Sequence, residues 1–180
     1  MSSGARIAAA QQALQAGDLE RSAQLLGEIP LSTPEGASAQ AMIQRLPDLF
    51  LEAANGGQPP KVSDTRCATV SELNDQLPTV RRRRVVGEWV RWPLYHLDPV
   101  ESRYTTAVFF RCSGDERRGQ RMKAAFKREQ FPFLVSRVGR DATITGRIGQ
   151  DVLGTFVLNP VVVVFSDGQH AAAPELAGRF

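Results

Sequence analysis

The chain has 180 residues, 42% hydrophobic and 23% charged, with a formal net charge of +3 and a pI near 9.2. This is ordinary globular composition, so the bulk is expected to fold, and the length suits one compact core of about 100 residues with an appendage. The cysteines Cys67 and Cys112 make neither a disulfide framework nor a metal site, and no run approaches the roughly 18 apolar residues of a membrane span. Charge is unevenly spread. Residues 1 to 60 hold three basic and six acidic side chains, net −3, leaving 19 basic and 13 acidic beyond them, net +6. Such an asymmetry predicts two surfaces with different partners, or one mixed surface seen in pieces. The first twenty residues lack a basic stretch followed by an apolar one, so a cytoplasmic, reducing location is the default expectation.

Residues 3 to 28 carry helical periodicity. Ile7, Ala10, Leu14 and then Leu19, Ala23, Leu26 recur at spacings of three and four, broken at Gly17-Asp18, where one helix ends and the next is capped. Ser32-Thr33-Pro34-Glu35 predicts a third helix with Thr33 as cap, its apolar side made by Ala37, Ala41, Leu46, Leu49 and Phe50 and kinked or split at Pro47. Asn55 to Pro60, with two Gly and two Pro in six residues, marks a linker. Thr69 to Leu77 follows as a short helix whose Thr69 and Glu72 have capping-box spacing.

Strands come next. Arg81 to Trp92 alternates from Val86, with Val86, Glu88, Val90 and Trp92 on one face and Val85, Gly87, Trp89 and Arg91 on the other. Tyr104 to Cys112 is the second strand, and Pro93 to Ser102, containing Tyr95 and His96, is the expected loop between them. A short third strand is expected between Cys112 and Arg117. Asp115 to Leu134 has helical spacing, with Met122, Ala125, Phe126 and Phe133 opposite Arg117, Arg118, Arg121, Lys123, Lys127 and Arg128. From Arg140 to Asp167 a strand hairpin is predicted: Ala142, Ile144, Gly146 and Ile148 alternate with Thr143, Thr145 and Arg147, and Thr155 to Phe165 is β-branched. The tail after Asp167 is rich in small residues and expected to fray.

These elements divide the chain into a helical hairpin or three-helix unit (1–54), a linker (55–68), a barrel (69–167) and a flexible tail (168–180). The class is α+β: a helical unit followed by a five-stranded antiparallel barrel with a helix between strands three and four, which is the order of an OB-fold.

Two segments resemble known groups. Ala-x-x-Ala-Leu-x-x-Gly-Asp with Ala23-x-Leu-Leu resembles a tetratricopeptide-like hairpin over about thirty residues, without the aromatic positions of a full repeat. Val85-Val86-Gly87-Glu88-Trp89-Val90 and Val138-Gly139-Arg140-Asp141-Ala142-Thr143-Ile144-Thr145-Gly146 resemble the bacterial OB-fold proteins grouped as tRNA-anticodon-binding-like. The resemblance implies fold more than function, because one fold hosts unrelated activities.

No Ser-His-Asp order, phosphate loop, paired His ligands or close carboxylate dyad stands out, so no enzyme activity, cofactor or metal is expected. Gly146-Arg147-Ile148-Gly149 lies in a strand and turn rather than ahead of a helix, unlike a dinucleotide fingerprint. Basic and aromatic residues interleave instead. Arg81, Arg82, Arg83, Arg84 and Arg91 adjoin Trp89 and Trp92, while Arg103 and Arg111 bracket Tyr104, Phe109 and Phe110. A single-stranded DNA or RNA partner fits that mixture, arginines following phosphates and aromatics stacking on bases. The alternative is a protein-interaction adaptor, using the acidic residues 1–54 and the basic helix at Arg117 to Arg128.

Overall fold

The computed structural model describes residues 1–75, 85–112 and 122–176. The chain forms two compact units, Met1–Pro60 and Lys61–Phe180.

In the first unit, α1 (Ser3–Gln15) and α2 (Leu19–Gly27) are joined through Gly17, whose φ of 76° is a left-handed conformation that suits glycine. Ser2 caps α1 by accepting from the Ala5 N–H, and Asp18 caps α2 by accepting from the Arg21 N–H at 3.0 Å. The third helix is two helices: α3 (Gly36–Gln44) and α4 (Leu46–Ala54), with Pro47 in the first turn of α4, where its missing N–H leaves no bond unmade. Thr33 does not cap α3. Its hydroxyl donates to the Pro30 carbonyl, and the helix begins three residues later. Leu14, Leu26, Leu46 and Phe50 are buried in the unit's own core.

Gly36 is where that core tolerates no side chain. A Cβ there would lie 2.5 Å from the Pro30 carbonyl oxygen and 2.7 Å from Leu31 Cα, both backbone atoms that cannot rotate aside. Gly36→Ala should therefore destabilise this unit by about 1–3 kcal/mol despite alanine's helix propensity. A thermal melt of the variant at the parent temperature would contradict the close approach.

The second unit is α+β. Its strands are β1 (Trp89–Glu101), β2 (Thr105–Cys112), β3 (Met122–Lys127), β4 (Ala142–Gln150), β5 (Phe156–Phe165) and β6 (His170–Ala173). They pair in the order β3-β2-β1-β4-β5-β6, and a parallel β3–β5 pairing at Lys123/Val157 and Ala124/Leu158 closes the first five into a barrel. This arrangement is compatible with an OB-fold. Val90, Leu94, Leu97, Val108, Phe110, Ile144 and Phe156 fill the interior.

Four segments differ from the sequence expectation. Pro93 to Ser102 is not a loop: β1 continues through both prolines to Glu101. A proline needs one edge without a ladder partner, and each has it, since β2 pairing begins at Leu94 after Pro93 and β4 pairing ends at Leu94 before Pro99. The helix expected across Asp115 to Leu134 starts too early, because Met122–Lys127 is the missing third strand. Met122, Ala125 and Phe126 fit helical spacing, but Met122, Ala124 and Phe126 equally fit alternation, and the barrel supplies pairing partners on both sides. Residues 113 to 121, where the strand and the basic face were expected, lie outside the described residues. What remains of the helix between strands three and four is a 3-10 turn (Arg128–Gln130) and α6 (Phe131–Val135), which buries Leu134.

The tail is also ordered into the fold. β6 pairs with Val161–Val164, and Gln130 Nε2 donates to the Ala172 carbonyl at 2.7 Å. Buried Asn159 holds the residues that follow, donating to the Pro174 and Ala125 carbonyls and accepting from the Leu176 N–H.

Lastly, part of the predicted linker belongs to the barrel unit. Val62 forms a parallel bridge with Trp89, and Ser63 N–H donates to the Trp89 carbonyl at 2.7 Å. α5 (Cys67–Asn74) follows, with Arg66 rather than Thr69 at its cap. Asn74 accepts from the Phe156 N–H at 2.9 Å, fixing α5 at the end of the barrel where β5 begins. Cys67 is disulfide-bonded, which corrects the expectation from spacing alone that the cysteines form no disulfide. Among the described residues no helix is long and apolar enough to cross a membrane.

Candidate nucleic-acid interface

The proposed binding residues separate into three groups. Arg81, Arg82, Arg83 and Arg84 lie outside the described residues. Trp89, Trp92 and Arg91 belong to the first half of β1 and are held by the fold. Arg103, Tyr104 and Arg111 lie on β2 and the turn before it.

Trp92 is an interior residue. It is 5% exposed, its ring centroid is 6.4 Å from that of Phe110, and its indole N–H donates to the Thr65 carbonyl at 2.9 Å. A base cannot stack on a ring whose faces are already packed, so Trp92 is removed from the binding set. Trp89 alternates to the other face but is only 6% exposed: the Val62–Ser63 segment pairs with its backbone, and the Arg147 guanidinium sits 5.9 Å from its ring centroid. Beside it, Glu88 accepts from the Ser63 and Thr65 hydroxyls. Arg91 is exposed, and its Nε donates to Thr145 Oγ1 at 3.1 Å, which orients the guanidinium along the β1–β4 surface.

The turn between β1 and β2 is different. Tyr104 is 53% exposed, and the Arg103 guanidinium lies 5.4 Å from its ring centroid, within cation–π range. The turn is braced from below. Ser102 Oγ donates to the Thr105 carbonyl and accepts from the Thr105 N–H, and Arg128 bridges Glu101 Oε1 at 3.1 Å and the Arg103 carbonyl at 3.4 Å. A search of protein-family models finds no match, and a search of curated proteins finds none either. What the surface can do therefore has to come from its own chemistry.

From this turn β2 runs with Val108 and Phe110 in the core, so Phe109 and Arg111 lie on the outer face. The cross-strand register sets Phe109 between Asp98 of β1 and Lys123 of β3, and Arg111 opposite His96. Phe109 and Arg111 are half-buried, and Arg111 Nε is buried without a hydrogen-bond partner. Lys123 is committed elsewhere, paired at 2.6 Å with the buried Asp151. The face thus carries an exposed aromatic and arginine at its tip, a second aromatic and arginine along the strand, and both signs of charge.

Arg128, expected on the basic helix face of the adaptor reading, lies instead in the 3-10 turn and donates to the Arg103 carbonyl. Period-two alternation in MKAAFK was the signal that would have ended the helix before it. Among the described residues no three His, Cys, Asp or Glu side chains gather as a metal site.

Proposed function

We propose that the barrel is a non-enzymatic binding module for single-stranded nucleic acid, with the β1–β2 turn and the outer face of β2 as its contact surface. The observation that carries the reading is Tyr104, an aromatic ring more than half exposed and stacked against Arg103 on a braced turn. A ring held in place loses little freedom when a base stacks on it, and a neighbouring guanidinium meets the phosphate. The resemblance to the tRNA-anticodon-binding-like group supports a nucleic-acid ligand. The adaptor alternative needs an apolar face of the helical hairpin left open to a partner. Because α3 and α4 share a core with that hairpin, the adaptor is the weaker reading.

Fluorescence anisotropy with labelled single-stranded DNA, single-stranded RNA and duplex over a salt series tests this. Arg103→Ala with Arg111→Ala should flatten the log-log salt slope by about 0.7 per lost phosphate contact on a single strand. Tyr104→Ala should weaken binding by about 1–3 kcal/mol with the slope nearly unchanged. Failure of the intact protein to retain either single strand at low salt would remove nucleic acid as the ligand.

A further inference from the structure

β6 is the last strand of the sheet and has only four residues. One of these, His170, differs from the three alanines beside it in being titratable. Ala171 and Ala173 enter the barrel core, so His170 lies on the outer face, opposite Val164 of β5. Its Nδ1 is buried and has no hydrogen-bond partner. A neutral imidazole leaves that nitrogen as an unpaired acceptor at modest cost, whereas an imidazolium would place an unpaired charged donor there.

Among the described residues, the backbone carbonyl of His170 itself is the one group that favours the cation. Along the same row of the sheet stand Val164 of β5 and Thr143 of β4, neither charged. In the turn before β6, Asp167 is already paired with Arg137 and Arg140, and its carboxyl is held below the usual range by the Gln169 N–H and then by Arg137. Arg137 Nη2 also binds Gln169 Oε1. On the elements packed against β6, the charged residues are Lys123 and Lys127 of β3, with Lys123 paired to Asp151, and Arg128 and Glu129 of the 3-10 turn, with Arg128 paired to Glu101. Burial pushes the His170 pKa down, opposed only by its own backbone carbonyl.

We propose that His170 makes β6 an acid-releasable strand, which detaches from Val161–Val164 of β5 and frees residues 170–176 while the five-stranded barrel stays closed. The sign follows from linkage. With its folded pKa depressed, the paired strand favours neutral His170 and the detached strand takes up the proton, so pairing is strongest above the ordinary histidine pKa of about 6.5 and weakens as pH falls through it. Four ladder positions, the Gln130 bond, the Asn159 bonds, the Arg147–Glu175 ion pair at 3.1 Å and the burial of Ala171, Ala172 and Ala173 also hold the segment; all are confined to this one short edge, so local opening can precede global unfolding.

Hydrogen exchange of the intact protein by mass spectrometry, corrected for intrinsic rates and compared at pH 7.5 and 5.0, tests this. Peptides covering β6 should lose up to about 30-fold in protection at the lower pH, the ratio set by an unshifted histidine pKa, while β1 and β4 keep theirs. His170→Gln and His170→Phe should abolish the difference. Unchanged wild-type protection, or an equal loss in both variants, overturns the proposal. Should either variant fold poorly, an NMR titration of the wild-type imidazoles, assigned with His96→Gln, decides: a His170 pKa at or above the ordinary value overturns it, and a depressed one upholds it.

Discussion

Replacing Ile144 with Asp should abolish the folded barrel. Ile144 is fully buried and stands between Trp92 of β1 and Val163 of β5, so a carboxylate there has apolar neighbours on both sides and no partner. The variant loses the isoleucine's burial and must either desolvate a charge or bind a proton, together about 4 kcal/mol or more. A domain of this size has only about 5–15 kcal/mol in total. Val162→Asp should act in the same direction, since Val162 is also buried in β5. Circular dichroism melting checks both, and cooperative unfolding near the parent temperature would contradict the burial.

Gly146→Val should come close to that effect by a different route. A Cβ on Gly146 would lie 2.9 Å from the Pro160 carbonyl oxygen, 3.1 Å from Leu158 Cβ and 3.2 Å from Val161 Cγ2. The β4–β5 register shifts between Gly146 and Ile148, drawing the two backbones together at this point. A flexible side chain could move away, but a carbonyl oxygen within a paired strand cannot. Overpacking costs about 1–3 kcal/mol for ordinary core positions, and a backbone obstacle puts valine at the upper end. Gly146→Ala should show the same sign with a smaller shift. Denaturant titration is the check, with a midpoint unchanged at constant slope counting against the close approach.

Gly146 also shows how far the sequence could be read. Its alternation with Ile144 and Ile148 correctly made it a strand residue, but nothing in the alternation shows that the facing strand bulges towards it. The barrel's fourth strand was legible because apolar residues alternate along it at period two, and the second and fifth because β-branched and aromatic residues run together. β3 was not, since six residues containing four small or apolar side chains fit both periods, and only pairing with β2 and β5 decides between them. The prolines of β1 misled in the same way: Pro93 and Pro99 break a strand paired on both edges, and the sequence does not reveal that β1 exchanges one partner for another at Leu94.

The candidate site divides along similar lines. Arginine and aromatic residues announce themselves by type, and Arg103 and Tyr104 stay together at the β1–β2 turn, with Arg111 toward the other end of β2. Trp89 and Trp92 carry the same apparent signal, but their availability depends on what lies over them. The Val62–Thr65 segment that covers them comes from over twenty residues earlier, in a stretch whose composition looked like linker.

The two halves of β5 imply an order of events during refolding. Its first half is bounded by β3, whereas its second half is bounded by β6, and Asn159 between them accepts from the N–H of Leu176. A barrel closed through β3 and β5 before residues 170–176 dock presents Val161–Val164 as an open edge. Docking of three alanines and one histidine covers it, so the interval before that step is when refolding chains are most exposed to pairing with one another.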